Sequence, residues 1–346
     1  MAGTFKVETM RNPSSLLALV VLVLFCSATP DAKGQQPAAA AKPAASQDKA
    51  EPQLAILDTD IGDDIDDAFA LALALKSPEL RLLGITTTYG DTELRARLLD
   101  RFLSTVGSNE ISVASGVPTA HNNVFTQAFY AKWIPKVTYD DGVGFLLDQI
   151  KAHPGKITLI AIGPLTNVEA AIKRDPATFK KLQRVVMMGG SIYRGYDDGK
   201  TRAHRPPDAE WNIACDPAGA KALLASGVPI YMMPLDSTQI RLETENREAI
   251  FSHGYPLTDQ LTLLYHQWLA HTEEHWNTPT LFDAVAVAYA VHPELCPTKP
   301  MHIEVDDKGF TRPMEGAEPN AQVCLESNEP AFLQFLMDRI TGETAQ

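Results

Sequence analysis

The chain of 346 residues is 45% hydrophobic and 21% charged, enough for one large core, with two domains allowed on length alone. Its net charge of −13 argues against a nucleic-acid or anionic-membrane partner, because phosphate-bearing surfaces are bound mainly by Lys and Arg. Most of the acidic excess reads as a soluble surface; the dense run at 58–67 does not.

Lys6 and Arg11 precede the apolar run 16–25, and Cys26 and Ala28 follow with the spacing of a cleavage site. So short a run suits the core of a signal peptide better than a bilayer span. Residues 1–28 are therefore expected to be a signal peptide and the mature protein to be exported, periplasmic or secreted, with no stable membrane insertion. A retained anchor is the alternative, and Cys26 raises lipoprotein processing, for which Phe25 is a poor neighbour. Residues 29–52, rich in Pro, Ala, Gln and Lys, cannot offset their ordering entropy by burial and read as a flexible spacer. No repeat or linker follows, so 53–346 is expected to be a single domain. Cys215, Cys296 and Cys324 form no disulfide framework and no zinc-ligand cluster; one disulfide and three thiols are both open.

From residue 54, short β-like runs alternate with helical ones. Strands are predicted at 54–57, 82–87, 111–113, 157–161, 185–188 and 228–232. Helices are predicted at 68–76, 93–106, 166–173 and 217–226, with Pro217 in a first turn where its missing N–H costs nothing. The section 241–291 is mostly helical. The fold class implied is α/β, a mostly parallel central sheet flanked by helices, with its site beyond the C-terminal ends of the strands.

Asp58, Asp60, Asp63, Asp64, Asp66 and Asp67 crowd the turn between the first strand and helix. Packed carboxylates repel unless a cation neutralises them, and all-oxygen ligation suits calcium, magnesium or manganese. The turn alone does not name the reaction. An Asp-x-Asp pair ending a strand also suits a magnesium phosphohydrolase with Asp58 as nucleophile. It equally suits a hydrolase whose carboxylate activates a metal-bound water.

Three further segments bear on the choice. Ile162-Gly163-Pro164-Leu165-Thr166-Asn167 follows a strand, and its Ile162 carbonyl is free to ligate a metal; Thr166 and Asn167 also read as a helix cap. In Asp208-Ala209-Glu210-Trp211-Asn212, an extended backbone would put Glu210 and Asn212 on one side, suited to a diol. Asp283 opens an apolar helix, as a ligand or as its cap.

In order, these segments resemble the calcium-dependent nucleoside hydrolases, the inosine–uridine-preferring nucleoside N-ribohydrolase family, over 54–325. The resemblance implies hydrolysis of the N-glycosidic bond of a ribonucleoside or related N-riboside, releasing ribose and base. It implies Ca2+ held by Asp60, Asp67, the Ile162 carbonyl and Asp283, and a metal-bound water activated by Asp60 as general base. Asp66 would contact the ribose, with Glu210 and Asn212 beside the sugar and Glu210 offsetting its developing positive charge. Asp58 would support the turn from behind. A homodimer or homotetramer is also implied.

The chain departs from the family pattern at several points. Asp63, Asp64 and Ile65 separate Gly62 from Asp66-Asp67, where one residue is common; the following Ala-Phe-Ala-Leu favours Asp66-Asp67 as the matching pair, with Asp63-Asp64 the alternative. Asp91 stands where a ribose-binding Asn is usual and His204 near another, so both are candidate substrate contacts. Phe282 occupies a position that is often a His, the leaving-group acid; His266, His271 and His275 are candidate replacements. A non-catalytic, calcium-dependent nucleoside- or ribose-binding protein is the second competing class.

Overall fold

The alternation of apolar runs and amphipathic stretches becomes strand and helix from Gln53 onward. The computed structural model describes residues 51–120, 124–132, 138–197, 205–272 and 277–342, so the calls on 1–50, His204 and His275 lie outside the described residues. The strands are β1 (Gln53–Thr59), β2 (Leu80–Thr87), β3 (Ser112–Ser115), β4 (Asp140–Asp141), β5 (Ile157–Ala161) and β6 (Arg184–Met188). They continue as β7 (Ile230–Met233), β8 (Thr298–Met301), β9 (Ile303–Val305), β10 (Thr311–Pro313) and β11 (Ala321–Cys324).

The helices are α1 (Asp66–Leu75), α2 (Thr92–Val106), α3 (Ala128–Ala131), α4 (Gly142–Ala152), α5 (Thr166–Arg174), α6 (Pro176–Phe179) and α7 (Trp211–Cys215). After them come α8 (Pro217–Leu224), α9 (Leu235–Thr238), α10 (Thr244–Phe251), α11 (Pro256–Leu269), α12 (Phe282–Val291) and α13 (Glu329–Thr341). Among the described residues, no helix is long and apolar enough to cross a membrane.

One sheet runs in the order β4-β3-β2-β1-β5-β6-β7-β11-β8. Every neighbouring pair is parallel except β11–β8, and β9–β10 form a separate antiparallel pair. The chain builds outward from β1 through β4, then returns to the other side of β1 as β5. This reversal opens a crevice at the C-terminal ends of β1 and β5, where open α/β sheets place their ligands.

Both faces of the sheet are covered, and each has its own core. On one face, Leu57, Ile85 and Ile160 meet α1, α2, α11, α12 and α13; on the other, Ile56, Leu159 and Val185 meet α4, α5 and α8. The helices α1 and α12 are nearly all Ala, Val, Leu and Phe beyond their first turns, and they are buried on all sides and pack together. Their first turns carry Asp66-Asp67 and Asp283, a placement the helix dipole favours for negative charge.

The strands after residue 298 were not anticipated. They are short, β8 and β10 each contain a proline, and none shows sustained alternation. Of the two open cysteine readings, the structure has the disulfide: Cys296 and Cys324 are joined with Cα atoms 5.7 Å apart, and Cys215 is free.

Candidate active site

A cavity of 450 Å³ opens at the crevice, lined among others by Asp60, Asp66, Asp67, Ile162, Glu210, Asn212 and Asp283. These residues arrive from the ends of five different elements. Asp60 follows β1, Ile162 follows β5, Glu210 caps α7, and the remaining acids open α1 and α12. Two glycines make the approach possible. Gly62 adopts φ +122° beneath the Phe125 ring, and a Cβ on Gly163 would lie 2.7 Å from Asp60 Oδ1.

Carboxylate oxygens of Asp66, Asp67 and Asp283 lie within 4.8 Å of one another, all buried. The Thr59 hydroxyl donates to Asp67 Oδ1 and accepts from the Ile61 N–H at 3.1 Å. The Asp283 N–H donates to Asp66 Oδ2 at 3.3 Å. Burial, then repulsion from the nearest carboxylate (Asp64 for Asp66, Asp60 for Asp67, Asp66 for Asp283), pushes all three carboxyls well above the usual range. Arg95, which pulls Asp67 the other way, is committed to a two-pronged pair with Asp63. Crowded hard oxygens of this kind can hold a metal ion.

The two candidate Asp pairs occupy different surroundings. Asp66 and Asp67 meet Asp283, whereas Asp63 turns to Arg95 and Asp64 lines the cavity's wall, exposed. The tight triplet contains Asp66, expected at the sugar; Asp60, expected among the ligands, lines the same cavity outside it. Burial pushes the Asp60 carboxyl up to about 7, against the pull of Arg95.

The segment around Glu210 is not extended throughout. Glu210 has extended backbone, but Trp211–Cys215 turns into helix α7, capped by the Glu210 carboxylate. The side chains still share the cavity. Glu210 Oε1 accepts from Asn212 N at 2.8 Å, and Oε2 accepts from Gly190 N at 2.8 Å and Ile213 N at 3.2 Å. Burial raises Glu210 to about 7 against these donors. Asn212 Nδ2 donates to the carbonyls of Ile162 and Met188, both at 3.2 Å.

Two candidate residues lie outside the cavity lining. Asp91 does not line the cavity; it is exposed and caps α2 by accepting from Leu94 N at 3.0 Å. Asp58, the nucleophile of the phosphohydrolase alternative, is fully buried, away from the cavity, and accepts from Thr86 and Asn167. Asp283 and Asn167 are not simple caps: Leu281 and Leu165 hold those N-cap positions.

Of the histidines, His266 packs against Tyr265 and Phe251, and His271 is exposed beside the Gln267 carbonyl; neither lines the cavity. Phe282 does, meeting Tyr196 edge-to-face at 6.0 Å. Arg95 was missed. The available signal was helical register, which sets it on the same face of α2 as Leu99 and Phe102.

The family model for inosine-uridine preferring nucleoside hydrolases matches residues 55–334. The chain belongs to this family. It is 29% identical over 304 residues to the pyrimidine-specific ribonucleoside hydrolase RihA of Citrobacter koseri, covering 80% of this chain and 94% of that one. A plant nucleoside hydrolase superposes with TM-score 0.73 at 25% identity, over 84% of this chain and all (100%) of that one. The purine-preferring ribonucleoside hydrolase of Gardnerella vaginalis does so with TM-score 0.69 at 27% identity, over 84% and 98%. As a nucleoside hydrolase, the chain cleaves the N-glycosidic bond of ribonucleosides, giving ribose and base.

Proposed function

We propose that Asp60, Asp66, Glu210 and Asn212 carry the hydrolysis, and that Asp60, Asp67, Asp283 and the Ile162 carbonyl hold a calcium ion. The convergence of these groups, from five different parts of the fold, in one cavity carries the reading. When bound, the cation supplies a fixed positive centre for the ribose 2′- and 3′-hydroxyls and for water.

Asp60 takes a proton from the attacking water as the water oxygen joins C1′. The C1′–N bond breaks with its electron pair going to the base, which takes up a proton from solvent, and ribose keeps the hydroxyl while Asp60 later returns its proton to solvent. Glu210, fixed by three backbone N–H groups, sets negative charge beside the oxocarbenium-like sugar. Asn212 spends its Nδ2 on two carbonyls, leaving Oδ1 to accept from a sugar hydroxyl. Asp66 accepts from another.

The named relatives include pyrimidine-specific and purine-preferring enzymes, so the test is base release from a panel of both classes, with calcium and then with chelator. Release lost on chelation supports the reading. Stoichiometric, calcium-dependent nucleoside binding without release supports the binding-protein reading instead.

The further proposals concern organisation: a signal peptide over 1–28, a spacer over 29–52 and a single domain over 53–346 in an exported protein, periplasmic or secreted. The Cys296–Cys324 disulfide supports export, since such bonds persist in oxidising compartments. An exported protein beginning at Thr29 is the expected N-terminal sequencing result.

A further inference from the structure

Arg95 is 0% exposed, yet it carries a charge into the floor beneath the acidic turn. All three nitrogens of its fork donate. Nε donates to the Tyr89 carbonyl at 2.8 Å; Nη1 donates to the carbonyls of Asp60 and Ile61, the latter at 3.0 Å, and to Asp63 Oδ1 at 3.1 Å. Nη2 donates to Asp63 Oδ2 at 3.0 Å. The Phe125 ring covers the guanidinium, 5.1 Å from its centroid.

These acceptors belong to two strand ends. Asp60 and Ile61 leave β1, and Tyr89 leaves β2. Tyr89 has φ 59°, the one positive φ among described non-glycine residues, a conformation that costs about 1–3 kcal/mol and persists only when its surroundings impose it. Its ring meets Trp211 edge-to-face at 6.3 Å, and Trp211 lines the cavity. A buried ion pair adds little net stability over apolar packing; here its distinctive product is geometry, because three of its acceptors are backbone carbonyls at the site.

We propose that the Arg95–Asp63 pair is a positioning device for the hydrolysis: it holds the Asp60 backbone where its carboxylate meets the reacting water, and holds Tyr89 behind the Trp211 wall. The inference rests on the reading of Asp60 as general base. It also gives a use to the two-residue extension of the motif, since Asp63 supplies the counter-charge that lets Arg95 be buried. Lysine cannot replace the device, because a single ammonium cannot reach both turns and a carboxylate in one plane.

The test uses the full chain with Arg95→Lys, which keeps the charge and loses the fork, and Asp63→Asn, which keeps one acceptor and loses the charge. Steady-state kinetics are measured on whichever nucleoside the unsubstituted protein cleaves fastest, with a thermal melt of each protein. In Arg95→Lys, kcat falls about 100-fold, the cost of misplacing a reacting group by about 1 Å, and in Asp63→Asn about tenfold. KM stays within about threefold in both, because the sugar-contacting side chains are untouched. A kcat within about twofold of the unsubstituted protein in either folded variant, whatever the loss of Tm, overturns the proposal. So does a loss confined to KM. Should Arg95→Lys not fold, Asp63→Asn decides by the same criterion. Unsubstituted protein that releases no base overturns the hydrolytic reading and this one with it, an outcome seen before any variant is measured.

Discussion

Asp58 and Asn167, 109 residues apart in the chain, share a hydrogen bond of 2.7 Å directly beneath the acidic turn. Asn167 also donates to the Thr87 carbonyl at 3.0 Å and accepts from Val117 N at 2.8 Å. One side-chain amide on α5 thus ties together the ends of β1 and β2 and the loop after β3. In Asn167→Leu these buried groups lose their partner, at about 1–3 kcal/mol each. Urea unfolding is expected to show a loss of about 3 kcal/mol; an unchanged midpoint contradicts this role.

Gly163 passes so close to Asp60 that a Cβ would lie 2.7 Å from its Oδ1 and 2.9 Å from its N. In Gly163→Ala either the loop or Asp60 must move. The expected outcome is a fall in kcat of about 100-fold, while the melting temperature changes by only a few degrees. Full activity in that variant means the loop yields while Asp60 keeps its place, and contradicts the close approach as a constraint on Asp60.

The sequence showed the site's parts more clearly than their arrangement. β1, β5 and β6 were legible because fully buried parallel strands are continuous apolar runs, and the turn after β1 because so many carboxylates follow one. The capped helix at Trp211–Cys215 was not legible: Glu210 looks like a polar residue on a strand until its carboxylate is seen closing over the first turn. The place of Asp91 was not legible because its helix-capping bond is local and carries no sign of the cavity's direction. Arg95 was overlooked because Glu93 and Arg97 on either side make it look like one more charge on a solvated helix, although the apolar face of α2 runs through it. β8 to β11 escaped because strands this short are specified by their partners.

The crowding of Asp66, Asp67 and Asp283 within 4.8 Å makes cation binding and stability one measurement. Calcium at a hundredfold excess over Kd is expected to add about 2.7 kcal/mol to the unfolding free energy and so raise Tm, and a chelator to reverse the gain. Magnesium, which demands tighter octahedral geometry, is expected to do less, and Asp283→Asn to abolish the response. Melts that coincide with and without calcium contradict the cation site.

The disulfide closes a separation of 28 residues between the end of the 3-10 turn Pro293–Leu295 and β11. Loop-closure entropy puts its contribution at about 3.5 kcal/mol. Paired Cys296→Ala/Cys324→Ala substitution is expected to lower the unfolding midpoint accordingly, leaving the rate of nucleoside cleavage by folded protein unchanged, since neither residue lines the cavity. A matching loss of kcat in the folded double variant contradicts that separation of roles.

The most direct test of the central claim is chromatographic measurement of base release by the unsubstituted and Asp60→Asn proteins at saturating calcium, with nucleoside binding followed by calorimetry. The account predicts release that falls at least about 100-fold on Asp60→Asn, in line with loss of a general base, while nucleoside still binds. Release at an undiminished rate from Asp60→Asn, or none from the unsubstituted protein on any nucleoside, contradicts it.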